Sequence, residues 1–233
     1  MNQPVQCNNF IIKSVTEAEI NDSTEQIRRG ENTCGLPECN ICGASPEKFK
    51  RHDKRPRLYY VITEDQIIKV IEGLIARWRC PFCGKRFTDH PYFSLPNKHY
   101  TLPTVLSYSG YYVETEPMSY RKLADEKPAE YEIPSKKGDI LHLNHTTIFR
   151  WTATLGSFIE IIRCAQDLIL QAIPTSHICR DLASRIISPR KYIKKYRKKL
   201  LYQCLRLVNL EKKYEDIFGV SIFPRLATRC RFS

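Results

Sequence analysis

The chain has 233 residues, of which 42% are hydrophobic, and it carries a formal net charge of +12. This length and apolar share permit one or two domains with a core, and they exclude a transmembrane helix, because charged residues interrupt the most apolar segment, 158–173. The first thirty residues are polar and acidic and contain no secretory leader, which predicts a cytoplasmic protein whose ten cysteines stay reduced.

Residues 1–33 are predicted to form a lead-in segment. A helix is expected over about 16–28, and no residue in this segment carries an identifiable chemistry.

Two short cysteine motifs follow. Residues 39–43 read Cys-Asn-Ile-Cys-Gly, and residues 80–84 read Cys-Pro-Phe-Cys-Gly. Two cysteines separated by two residues hold one metal ion from a tight turn, and the glycine relieves the backbone where the turn closes. Two such motifs supply four thiolates, which close the coordination shell of a tetrahedral, structural Zn²⁺ site. The predicted ligands are Cys39, Cys42, Cys80 and Cys83.

Other residues compete for the role of ligand. Cys34 lies five residues before Cys39, and the rival histidines are His52, His90 and His99. A disulfide framework is the alternative explanation for ten cysteines, but the Cys-x-x-Cys pairs favour a metal. The cysteines without ligand spacing are predicted to be small buried hydrophobic residues. These are Cys7, Cys164, Cys179, Cys204 and Cys230.

The 37 residues between the motifs favour an antiparallel ribbon, because they are rich in aromatic and β-branched residues. The predicted strands are 58–62, 67–71 and 74–79. Turns are expected at 63–66 and at 72–73. A helix over 64–76 is the alternative. Residues 34–100 are therefore predicted to be a zinc ribbon with a small antiparallel sheet.

Residues 101–156 are predicted to be mainly helical. The expected helices are 101–113, 119–126 with Ser119 as N-cap, and a third that starts near Asn144. The last two resemble the second and third helices of a helix-turn-helix, with Leu123, Ala124, Ile148 and Trp151 packed together. The side chains left to face DNA are Tyr120, Arg121, His145, Thr146, Thr147 and Arg150. The alternative is an ordinary helical bundle in which the threonines cap a helix.

Residues 157–233 are predicted to be a basic C-terminal helical region. An amphipathic helix over 157–175 ends at Pro174, and a long helix follows over about 189–218. The expected core face of the long helix consists of Ile193, Tyr196, Leu200, Cys204, Leu207 and Leu210. The complete fold is thus expected to be α+β, with a ribbon followed by helices.

Positive charge is concentrated in two parts of the chain. Residues 34–100 contain 12 Lys and Arg against 7 Asp and Glu, and residues 176–233 contain 15 against 4. A concentrated basic surface suggests a polyanionic partner, although a solubilising face is the alternative. On the ribbon the candidate nucleic-acid contacts are Arg51, Lys54, Arg55, Arg57, Arg77 and Arg79. On the last helix they are Lys191, Lys194, Lys195 and Lys198, which can follow a phosphate backbone.

The order of these segments resembles a known family. Residues 49–57 read Phe-Lys-Arg-His-Asp-Lys-Arg-Pro-Arg, and residues 77–88 read Arg-Trp-Arg-Cys-Pro-Phe-Cys-Gly-Lys-Arg-Phe-Thr. Together with His-Pro-Tyr-Phe-Ser-Leu-Pro at 90–96, this resembles the zinc-ribbon and helix-turn-helix region of bacterial insertion-sequence transposases. Short transposase-like proteins that lack a nuclease domain belong to the same group. The resemblance covers about residues 34–155 and departs at the loop over 128–138, which is longer than the usual turn.

The resemblance implies binding to mobile-element DNA near its ends. The predicted function is that of a zinc-dependent DNA-binding protein of a mobile element, associated with the nucleoid. It would act as a transposition accessory factor or as the DNA-recognition subunit for a separately encoded transposase. Catalysis is not expected, because a two-metal nuclease needs several converging carboxylates and residues 176–233 contain four acids, three of them on one helix. The alternatives are a zinc-scaffolded protein-interaction subunit and a metal-dependent nuclease with an unrecognised site.

Overall fold

The computed structural model describes residues 15–114, 118–132, 142–177 and 195–225. Over these residues the protein is an α+β fold with a small, mainly antiparallel sheet and six helices of seven residues or more. The predicted fold class is confirmed at this level.

A long hairpin forms most of the sheet. Strand β1 (Lys50–Ile62) pairs antiparallel with β2 (Ile67–Arg79), and β2 pairs antiparallel with β3 (Arg86–Asp89). Strand β4 (Glu130–Tyr131) adds a short parallel pairing at the start of β2. The hairpin turns at Thr63–Gln66, as predicted, with Gln66 at a positive φ of 61°. The predicted helix alternative over 64–76 is wrong.

The predicted turn at 72–73 is also wrong, because β2 runs through Gly73 without a break. A β-carbon on Gly73 would lie 2.7 Å from the ring of Tyr59 and 2.9 Å from Oγ1 of Thr24. Glycine is therefore required here for close packing within a strand and not for turning the chain. The third strand of the sheet is instead β3, which follows the second cysteine motif.

Strand β1 begins eight residues earlier than predicted, at Lys50. The prediction placed the start of this strand after a run of charged residues and Pro56. Over these residues β1 pairs with β2 on one side, so its other edge tolerates both charged side chains and a proline without an N–H. A bulge at His52, between Arg51 and Asp53, interrupts the register.

Helix α1 (Glu17–Arg29) is confirmed and is closed by a capping box between Thr16 and Glu19. It covers the part of β2 that lies between the pairings with β4 and β3. There Oγ1 of Thr24 accepts a hydrogen bond of 3.3 Å from the backbone N–H of Leu74. The helix thus protects an otherwise open strand edge.

The remaining helices confirm the predicted helical character of the second half. They are α2 (Leu102–Glu114), α3 (Tyr120–Glu126), α4 (His145–Gly156), α5 (Ile159–Ala172) and α6 (Lys195–Phe218). Ser119 caps α3 by accepting a hydrogen bond from the N–H of Lys122, and Asn144 caps α4 through the N–H of Thr146. Strand β4 lies in a stretch that was predicted to be loop.

Helix α6 packs against α2, α4 and α5. One apolar cluster contains side chains from all of these helices and from the tip of the hairpin, so it includes residues on both sides of the predicted boundary at 156/157. Within it Cys204, Leu207 and Leu210 are fully buried, as predicted for the core face of this helix. Tyr196 was wrongly assigned to that face and is 72% exposed. The predicted core residue Ile193 lies outside the described residues.

Arg197 joins the start of α6 to α3 and α4. Its guanidinium donates hydrogen bonds to the hydroxyl of Tyr120, Oγ1 of Thr152 and the carbonyl oxygen of Phe149, and it lies 3.9 Å from the ring centroid of Phe149. The ring of Tyr120 stacks on Tyr112 at 3.9 Å. Tyr120, which was predicted to face DNA, therefore takes part in packing the helices together.

Glu211 on α6 has a buried carboxylate, and we expect the stability of the protein to depend on pH because of it. It accepts hydrogen bonds from the hydroxyl of Ser221 and from the N–H of Ile222, but burial outweighs them and raises its pKa to about 7. Because the folded pKa lies above the unfolded value, the folded protein binds the extra proton below about pH 7. Stability should therefore fall as the pH rises from about 4.5 to 7, by roughly 1.4 kcal/mol per pH unit from this group.

Urea unfolding of the wild-type protein and of Glu211→Gln, between pH 5 and pH 8, measures this contribution. The glutamine keeps the size of the side chain and cannot ionise, so the stability gap between the two proteins should shift in favour of the variant as the pH rises. A gap that stays constant across this range would show that Glu211 does not titrate there.

Candidate metal centre and nucleic-acid interface

Four cysteine sulfurs converge at the end of the hairpin opposite its turn. The Sγ atoms of Cys39, Cys42, Cys80 and Cys83 all lie within 4.8 Å of one another. Cys39 and Cys83 are 3.4 Å apart, and Cys42 and Cys80 are 3.5 Å apart. A tetrahedral site with metal–sulfur bonds near 2.3 Å has sulfur–sulfur distances of about 3.8 Å. The four predicted ligands therefore form a group that can hold a metal ion.

The two cysteine motifs adopt the same turn. In the first, the N–H of Gly43 donates to the carbonyl oxygen of Cys39 at 2.7 Å, and in the second the N–H of Gly84 donates to that of Cys80 at 3.0 Å. Both glycines have a positive φ, 71° and 72°. This is the left-handed backbone that glycine adopts without steric cost, as the sequence predicted.

Backbone N–H groups favour charge on the first sulfur of each motif. Burial opposes ionisation of Cys39, but the N–H groups of Ile41 and Cys42 and the neighbouring thiols outweigh it and lower its pKa to about 6. The pKa of Cys80 is lowered in the same way, against burial, by the N–H groups of Cys83 and Phe82.

The second sulfur of each motif holds its proton. The N–H of Ala44 favours the Cys42 thiolate, but burial and the neighbouring sulfurs outweigh it and raise the pKa of Cys42 to about 12. The pKa of Cys83 is also raised: the N–H of Lys85 favours its thiolate, but burial and the sulfurs of Cys39 and Cys80 outweigh that effect. Four anions this close repel one another, and a divalent cation among them removes that repulsion and favours four thiolates.

The rival ligands lie elsewhere. Cys34 is half-buried against the apolar cluster beside the centre, and burial raises its pKa to about 11. His90 faces Ser94, and His99 stacks on Tyr60. None of these, nor His52, belongs to the four-cysteine group found among the described residues.

The surface around the centre contains two exposed apolar residues. Ile41 is 61% exposed and Phe82 is 67% exposed, and each occupies the position just before the second cysteine of its motif. Phe49 and Phe87, which pack in one apolar cluster with Cys39 and Cys80, stack with ring centroids 5.2 Å apart. The centre is thus supported by a small core of its own and presents apolar side chains to solvent.

Two of the predicted nucleic-acid contacts are engaged with α1. Arg51 donates to the carbonyl oxygens of Ile27 and Asn32, and Lys54 donates to the carbonyl oxygen of Arg28. These bonds satisfy carbonyl groups in and after the last turn of the helix. The structure therefore gives both side chains a part in holding α1 against the hairpin.

Three other predicted contacts, Arg55, Arg57 and Arg77, line one groove beside the hairpin. The sequence did not single out Arg28 and Arg86, which line the same groove from α1 and β3. They were missed because the groove brings together residues that are far apart along the chain, and no local spacing marks them. Arg79 is exposed beside the second cysteine motif, close to Gly84.

The predicted nucleic-acid contacts on α3, α4 and α6 are exposed to different extents. Arg121 on α3 and Arg150 on α4 are exposed, whereas Ile148 and Trp151 of α4 are buried in the core with Leu123. His145, Thr146 and Thr147 form the first turn of α4, where Thr146 is exposed and the other two are partly so. Lys195 and Lys198 are exposed on α6. Lys191 and Lys194 lie outside the described residues.

No family model, curated protein or solved structure matches this chain. Among the helices of the described residues, none combines the length and the apolar character needed to cross a bilayer.

Proposed function

We propose that the protein is a zinc-stabilised DNA-binding protein of a mobile genetic element. It would act as a transposition accessory factor or as the DNA-recognition subunit of a separately encoded transposase, and it would work in the cytoplasm at the nucleoid. The metal is proposed to be Zn²⁺, because four thiolates with this spacing and no open position are typical of a structural zinc site.

The observation that carries the proposal is the two-sided character of α4. Its buried side chains fix the helix against α3 and the core, while Thr146 and Arg150 extend to solvent from the same first turns. A helix held in this way can place its N-terminal side chains in a major groove, with α3 packed across it. Threonine and arginine are suited to phosphate and base-edge contacts.

Replacing Arg150 with alanine should weaken binding to duplex DNA. The loss of one base or phosphate contact is expected to cost about 1–3 kcal/mol, which is roughly a 5- to 150-fold loss of affinity. Fluorescence anisotropy with a mixed-sequence duplex and with candidate element ends, at several salt concentrations, measures the change.

Arg163→Ala is the matched control. Arg163 is exposed on α5 and pairs with Glu160 at 2.9 Å, so its loss removes the same charge from a different part of the surface. Equal affinities for the two variants would show that Arg150 does not contact DNA, and no binding of the wild-type protein to any duplex at low salt would defeat the proposal.

A second function, that of a protein-interaction subunit, is favoured by the two exposed apolar side chains on the metal centre. Ile41 and Phe82 extend from turns that the four cysteines hold together, and such rigid apolar residues are common anchors of protein interfaces. The double variant Ile41→Ser/Phe82→Ser tests this function. If it bound DNA as well as the wild-type protein but no longer bound a partner subunit, the protein would have both functions.

A further inference from the structure

A groove with a volume of about 850 Å³ runs beside the hairpin. Its floor is formed by consecutive residues of β1 and β2, 55–58 and 72–75, which pair with each other across the two strands. One wall is the end of α1 with Arg28, and other parts are β3 with Arg86 and the segment that follows it with His90.

The lining of the groove is strongly positive. Five of its residues are arginines, and Glu72 is the one acidic residue among those that line it. Asp53, which lies beside the groove, contacts Arg77 at 3.2 Å and Arg55 at 3.7 Å. Arg28 pairs with the carboxylate of Glu25. Three carboxylates therefore face five guanidinium groups, which leaves a positive surplus inside a concave surface where field lines are concentrated.

Two kinds of arginine are present. Arg57 is held in place because its Nη2 donates to the carbonyl oxygens of Leu95 and Lys98, which orient the guanidinium and do not neutralise it. Arg55 and Arg28 have side chains that are 63% and 60% exposed, so their guanidinium groups remain accessible from solvent. Arg86 is exposed, too. A partly buried, hydrogen-bonded charge together with exposed charges suits an extended anion.

His90 lines the same groove. Its pKa is lowered to about 4, first by burial and then by the positive charge of Arg57. The imidazole is therefore neutral at physiological pH and adds no positive charge to the groove.

We propose that this groove binds the phosphates of one backbone of duplex DNA. This rests on the proposed function and adds a second contact surface to it, on the hairpin and separate from α4. Guanidinium groups bind phosphate oxygens through pairs of parallel hydrogen bonds, and arginines on opposite walls allow a chain of phosphates to pass between them. Such contacts give affinity without sequence preference. A small free phosphate compound is the other source of the same chemistry.

The test compares Arg55→Gln/Arg86→Gln with the control Arg163→Gln/Lys212→Gln in the full-length, zinc-loaded protein. Both variants lose two exposed positive charges, and the control residues lie on α5 and α6. Zinc content and thermal unfolding confirm that each variant is folded. Affinity for a mixed-sequence duplex is then measured from 50 to 300 mM salt.

The groove variant should bind the duplex more weakly, with a salt slope about 1.8 smaller in magnitude, since each lost phosphate contact removes about 0.9. The control should keep the wild-type slope. If the groove variant bound the duplex with the same affinity and the same salt slope as the wild-type protein, the groove assignment would be overturned and the proposed function would stand. Absence of duplex binding by the wild-type protein would instead defeat the proposed function and the duplex assignment together.

A thermal-shift titration with pyrophosphate separates the two sources of phosphate. If pyrophosphate stabilised the wild-type protein and not the groove variant, while both bound duplex DNA equally well, the groove would be a small-phosphate site and the backbone proposal would be wrong. If pyrophosphate displaced the duplex only weakly from the groove, this result would support the proposal that the groove binds a DNA backbone.

Discussion

Replacing Cys83 with serine is expected to release the metal ion and unfold the end of the hairpin that carries the cysteine motifs. Cys83 contributes one of four converging sulfurs, and a serine hydroxyl does not replace a thiolate ligand at neutral pH. Loss of a hydrogen-bond partner of a metal ligand lowers the affinity for the metal about 10- to 100-fold. Loss of a ligand itself should therefore lower that affinity by more than about 100-fold. Since metal binding and folding are linked, stability should fall with metal content.

The exposure of Cys83 makes this result informative. Substitutions at exposed sites usually change stability by no more than about 0.5 kcal/mol, so a large loss cannot come from packing. Cys34→Ser is the matched control, because Cys34 is half-buried in the same module and lies outside the four-cysteine group.

Metal analysis of the purified proteins and thermal unfolding, with and without added zinc, provide the measurements. The control should keep one zinc ion per chain. If Cys83→Ser also kept its zinc and its melting temperature, the metal assignment would be wrong.

Replacing Gly156 with alanine should destabilise the helical half of the protein by about 3 kcal/mol, at the upper end of the usual cost of overpacking. Gly156 is the last residue of α4, where the helix meets α6. A β-carbon there would lie 2.1 Å from the carbonyl oxygen of Leu200 and 2.8 Å from its carbonyl carbon. Because the obstacle is backbone, relief requires α4 and α6 to move apart.

Urea unfolding followed by circular dichroism measures this loss. Gly35→Ala is the control, since a β-carbon at Gly35 would meet Oδ1 of Asp89 at an ordinary 3.5 Å and keep the bond from its N–H to Oδ2. The control should stay within about 0.5 kcal/mol of the wild type. A Gly156→Ala protein as stable as the wild type would show that α4 and α6 do not cross this closely.

Several features could be predicted because they depend on residues a few positions apart. The cysteine motifs, their positive-φ glycines and the cap at Ser119 each involve contacts within one turn of chain. Hydrophobic spacing also indicated the buried positions Cys204, Leu207 and Leu210. In each case the local pattern of residue types is sufficient for the prediction.

Other features were misjudged because their causes lie far away along the chain. Gly73 has the residue type of a turn, but the ring of Tyr59 and the hydroxyl of Thr24 require it inside a strand. Tyr120 has the spacing of an exposed recognition residue, but it is partly buried and hydrogen-bonded to Arg197, 77 positions away.

Residue spacing alone thus determined the four cysteines that converge, most of the helices and the turn of the hairpin. Only the tertiary structure decided what the basic residues do. Arg51 and Lys54 secure α1, whereas Arg55 and Arg57 join Arg28 and Arg86 around a groove. The physical reason is that the partner of a long, flexible cation is set by the elements packed around it, and a sequence of charges does not specify that packing.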